Sequence, residues 1–156
     1  MRGVIMRRVF TFSSFLLFAG CASGGETDSR PIPGAWSGDI QSLGAEGHAG
    51  FATVTLMPDG ETRANITLRG GAAGGRHPWH IHAGLCPSGD AESAAVGPEV
   101  GDPQAYPVLE PNDTGNASAT AVLGVPLDPD AEYHVDIHQS DEDSSVVGCG
   151  DLQRSF

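Results

Sequence analysis

The residues best suited to chemistry sit in "HPWHIHAGLC", residues 77–86, which holds His77, His80, His82 and Cys86. The whole chain has only six histidines and three cysteines in 156 residues. On a β-strand, alternate side chains share a face, so His80 and His82 point one way while Trp79 and Ile81 point the other. The same parity holds in "YHVDIH", where Tyr133, Val135 and Ile137 oppose His134, Asp136 and His138. Two imidazoles at i and i+2 can grip one ion. His134 and His138 would stand about 13 Å apart along a strand, too far to share it. The metal-ligating set expected is therefore His80 and His82 from one strand and His138 from the end of another. Three neutral imidazoles suit copper or zinc, and copper has the higher intrinsic affinity. A lone His-x-His is common on strand surfaces; here Cys86 follows the pair by four residues and Cys149 follows His138 by eleven.

The elements that must carry these residues read as β throughout. "HAGFATVTLM" (48–57) alternates, with Ala52, Val54 and Leu56 on one face, and "PDGE" turns it back into "TRANITLRG" as a hairpin. "GGAAGG" is a loop, "WHIHAG" a short strand, and residues 87–105 a long loop of small, acidic and Gly/Pro residues. "NASATAVLGV", "EYHVDIH" and "SSVVGCGDL" supply further strands. No window forms a convincing amphipathic helix. About eight short strands separated by turns predict an all-β Greek-key barrel or sandwich.

Three segments are expected. Residues 1–20 carry Arg7, Arg8 and a short apolar run, and "LLFAGC" resembles a bacterial lipoprotein signal, which implies cleavage before Cys21 and lipidation of that cysteine. Residues 21–34 read as a flexible tether and residues 35–156 as one β-domain of sufficient size for a core. The expected location is a bacterial cell envelope, lipid-anchored and facing the periplasm or the exterior. With the leader removed, five arginines face 20 acidic residues, a net charge of −15 with no lysine. That surface disfavours nucleic acid and anionic headgroups, leaving the lipid anchor as the membrane contact. Cys86 and Cys149 then form an even pair in an oxidising compartment, which reads as one disulfide.

The histidine and cysteine pattern resembles the copper/zinc superoxide dismutase family over residues 36–156. "HPWHIH" is similar to that family's H-G-[FW]-H-[IV]-H segment, and "DIHQSDEDSSVVGCGDL" to its V-V-H…A-C-G ending. The resemblance implies an eight-stranded Greek-key barrel, copper on His80, His82 and His138, and a Cys86–Cys149 disulfide. It also implies a structural His77 that bonds the backbone without touching the metal. Compact bacterial domains with a chordin-type label, bearing H-x-H, a nearby Cys and an A-C-G-D ending, are similar to this chain.

The departures carry information as well. No histidine lies between Cys86 and His134, so the family's bridging and zinc-binding histidines have no counterpart and no zinc is expected. The arginine that guides superoxide in the family is replaced by Val146. Three histidines can hold one copper ion and leave a position open, which suffices in principle for redox turnover. Without the bridging imidazole and the guiding cation, weak superoxide dismutation is expected.

The other polar residues have quieter roles. Asp136 would orient a ligand or stand exposed, His134 is read as a solvated strand residue, His48 as surface, and Arg76 as a loop arginine near the site. Trp36 would plug one barrel end. Three readings stand: a copper-only dismutase-like lipoprotein, a copper-binding protein without turnover, and a structural β-domain with a vestigial site. Superoxide or copper ion is the expected partner; oligomeric state is not encoded in any motif.

Overall fold

The computed structural model describes residues 34–44, 47–87 and 97–155. Those residues form seven antiparallel strands in one curled sheet and almost no helix. The strands are β1 (Ala35–Ser42), β2 (Ala49–Leu56), β3 (Thr62–Arg69), β4 (Trp79–Ala83), β5 (Ala117–Leu123), β6 (Tyr133–His138) and β7 (Val146–Ser155). Their order across the sheet is β4-β6-β7-β1-β2-β3-β5. The all-β barrel or sandwich expected from the sequence is the observed class, with seven strands in place of about eight.

Alternation drives the curl. In β3 every second residue, from Thr62 to Leu68, is buried, and in β2 Gly50, Ala52 and Val54 follow the same rhythm. The inward set of each strand meets the others in one core, anchored by Trp36, Ile66, Leu68, Trp79, Ile81 and Ile137. Trp36 lies 2% exposed and edge-on to Tyr133. Between β1 and β7 the backbones approach closely. A β-carbon at Gly38 would overlap the Asp151 carbonyl, and one at Gly150 would overlap that of Asp39.

The place of an eighth strand is taken by an irregular segment. Residues 97–109 run beside the free edge of β4: Val100 N–H donates to Ile81 O, Ala83 N–H to Pro98 O, and His77 and Leu109 exchange both bonds. The segment also passes close to β5: a β-carbon added at Gly101 would come into contact with Leu123, so the segment runs beside both outer strands. It includes a single 3-10 turn, Pro103–Ala105. The 87–105 stretch read as loop is thus irregular where described, yet Pro98, Glu99 and Val100 pair with β4.

Cys86 and Cys149 are disulfide-bonded, joining the segment after β4 to β7. The expected leader, Cys21 and all of the tether except Gly34 lie outside the described residues. No helix among the described residues is long and apolar enough to cross a membrane.

Candidate metal centre

The β4–β6 register builds the site. His80 pairs with Asp136 and His82 with His134, which puts all four side chains on one face with His138 diagonal to His80. Between Ile137 and His138 the β6–β7 register slips, so His138 faces Val146. Such irregularities turn a side chain out of the regular ladder.

The donor atoms converge. His80 Nδ1 lies 3.1 Å from His138 Nε2. Asp136 bridges the remaining gap, with Oδ2 at 3.3 Å from His82 Nε2 and Oδ1 at 3.5 Å from His138 Nε2. His80, His82 and Asp136 each present a ligand atom within 4.8 Å of the other two and could hold a metal ion. The His138 nitrogen abuts two of the three.

Backbone carbonyls set the imidazole tautomers. His82 Nδ1–H donates to Gly97 O at 2.8 Å, and His138 Nδ1–H donates to Ser144 O at 2.8 Å. A carbonyl can only accept, so each ring carries its proton on Nδ1, and when neutral each turns an Nε2 lone pair inward. His77 lies one layer back: it is 3% exposed and donates Nδ1–H to His138 O at 3.1 Å.

Asp136 is 1% exposed, and neither carboxylate oxygen has a hydrogen-bond partner. His82 Nε2 is likewise buried without one. Their 3.3 Å contact is close enough to couple charge but is not aligned as a hydrogen bond. Burial alone would raise the Asp136 carboxyl, but His82 foremost, with His138 and His80, outweighs it and the net shift is downward. Burial would push His82 down, yet Asp136 outweighs it and the net shift is upward. For His80 burial wins, pushing the imidazole down to about 4. His80 is therefore neutral across the physiological range, and because His138 Nε2 holds a lone pair it is His80 Nδ1–H that donates across their 3.1 Å contact.

Several expectations are corrected. Asp136 is not an exposed strand carboxylate, because β6 is covered on both faces. His134 is not solvated: it is 1% exposed, stacks on His82 at 5.5 Å and donates Nδ1–H to Gly84 O. His48 is 2% exposed and packs 4.9 Å from His77, so it is not a surface residue. Arg76 is exposed and paired with Asp141 and Glu110, so its charge is engaged at the rim.

Sequence reasoning also missed two residues on the covering segment. Gly97 supplies the carbonyl that fixes His82. Glu99 forms a lone bridge with His82 and holds Oε1 3.8 Å from His80 Nε2, with burial raising its carboxyl. Neither carries a sequence signal, since one acts through its backbone and the other is one acid among 20. Parity did signal Asp136, by setting it on the His138 face. Against known proteins, no family model matches the chain and no curated sequence matches it, so the centre rests on its own geometry.

Proposed function

We propose that this chain is an extracytoplasmic copper-binding protein of superoxide dismutase-like architecture, tethered through a lipidated Cys21. His80, His82 and His138 hold a single copper ion. The observation that supports this most is the convergence of three imidazole nitrogens, two with tautomers fixed from behind by backbone carbonyls, around buried polar atoms without hydrogen-bond partners. Oriented imidazole sets of this kind favour copper and zinc, with copper ahead in affinity. The strand order, the disulfide and the packing of His77 behind His138 support the family resemblance.

Bound copper would supply one-electron redox chemistry. The chain's own part is to hold the ring nitrogens still, keep His80 neutral and restrict solvent. Superoxide dismutation is a second reading, favoured by partial access: the three side chains remain 12–19% exposed. The surroundings work against fast capture of an anion. Val146 stands opposite His138, Arg76 is paired, and Asp141, Glu142 and Asp143 follow close behind His138. Electrostatic guidance changes on-rates by roughly 10 to 10³, and here its sign is unfavourable.

Loading the purified protein with copper, with and without zinc, tests both readings. One copper per chain, lost in a His80→Ala/His138→Ala variant, is the expected result. Superoxide removal above that variant adds the enzymatic reading, copper without turnover leaves a binding protein, and failure to hold copper leaves a structural domain. Mass analysis of the mature N-terminus checks the lipid on Cys21.

A further inference from the structure

We propose that Asp136 is itself a metal donor, and that its carboxylate makes the centre selective for a divalent ion, holding Cu(II) in preference to Cu(I). This rests on the copper reading above and specifies the ion's charge state.

The position of the carboxylate carries the inference. A carboxylate that merely orients a metal-binding imidazole accepts from the nitrogen remote from the ion. Here those remote nitrogens are already committed, His82 Nδ1 to Gly97 O and His138 Nδ1 to Ser144 O. Asp136 instead meets the inner nitrogens, at 3.3 Å from His82 Nε2 and 3.5 Å from His138 Nε2. A carboxylate facing two inward imidazole nitrogens at these distances needs positive charge among them, a proton when the site is empty or a metal ion when it is filled. Both Asp136 oxygens are buried and unpartnered by any hydrogen-bond donor. Taking an ionised carboxylate out of water without a partner is strongly unfavourable, so the position calls for a positive ion.

The chemistry of the donor then selects the ion. An anionic oxygen is a hard ligand, and soft Cu(I) prefers sulfur and imidazole, whereas Cu(II) accepts nitrogen and oxygen together. One negative charge beside the ion also favours M²⁺ over M⁺ by simple Coulomb attraction. Asp136 is cross-strand from His80 and two residues from His138, so the register that assembles the histidines also delivers the carboxylate to them.

Competition titrations of the full chain with Cu(II) and with Cu(I), for wild type, Asp136→Asn and His80→Ala, test the assignment. In Asp136→Asn the Cu(II)-to-Cu(I) affinity ratio should fall by about 100-fold. That equals a rise of about 120 mV in the copper potential at about 59 mV per tenfold. A ratio unchanged within about threefold, while His80→Ala loses both ions, overturns the role of Asp136 and spares the copper reading. Wild type that binds neither ion overturns both. Should Asp136→Asn fail to fold, the infrared difference spectrum of unmodified protein decides: Cu(II) should shift carboxylate stretching bands, and an absence of any shift refutes the proposal.

Discussion

Acid should destabilise the metal-free protein through His80. Burial holds this imidazole at about 4 in the folded chain against an ordinary value of 6.5. Between those two pH values the unfolded chain binds a proton that the folded chain refuses, so stability falls as pH falls. At about 1.4 kcal/mol per unit the shift amounts to about 3 kcal/mol, trimmed to roughly 2–3 because solvent reaches 19% of the side chain. The neighbours titrate elsewhere or oppose it. Asp136, shifted down, contributes stability above about 3.8 that is lost only as pH falls through its lower folded value. His82, shifted up, contributes stability that is fully present below 6.5 and is lost as pH rises through its folded value. Glu99, shifted up by burial, works in the opposite direction to His80 over part of the window. Urea unfolding at pH 7 and pH 4, for wild type and His80→Gln, isolates the effect. Wild type should lose about 2–3 kcal/mol more than the variant over that interval. Equal losses would show that His80 is not the buried neutral group described, and the reasoning would fail.

Copper affinity should also fall with pH, since the ion must displace the proton that Asp136 helps His82 retain; below the raised His82 value the fall is about tenfold per unit, read by chelator competition from pH 8 to pH 5. Gly97→Ala should weaken copper binding by about 10–100-fold, because the new β-carbon would overlap the Ala83 carbonyl and push Gly97 O away from His82; the same titration checks it. Cys149→Ser opens a cross-link spanning 63 residues and should cost about 4 kcal/mol by the chain-entropy argument, measured as a lower urea midpoint under non-reducing conditions.

Six of the seven strands were readable because period-two alternation is imposed by the pleat itself; β1 was not, since in "AWSGDIQS" only Trp36 and Ile40 mark the buried face. "ANITL" and "WHIHA" announce their inward faces without any tertiary knowledge. The pairing of Cys86 with Cys149 followed from count and compartment. Burial on the outer face was not readable. Asp136 and His134 look like solvent-facing residues of a half-buried strand, yet β6 lies between β4 and β7, with Gly84 and His82 packed against His134. His48 was hidden for a similar reason, since its neighbour His77 comes from a distant part of the chain. Residues 97–105, part of the stretch 87–105, read as loop because Gly97, Pro98, Gly101 and Pro103 suppress any alternating pattern. Their bonds to β4 come from scattered backbone groups that leave no mark on side-chain type.

That covering segment ties two properties together. Without it β4 would present a row of unmet amide and carbonyl groups, the kind of border that invites a strand from another molecule. The same backbone carries the Gly97 oxygen that steadies His82. Damage to this stretch would therefore surface twice, as a slackened ion grip and as clumping of the protein, and neither symptom should arise there without the other.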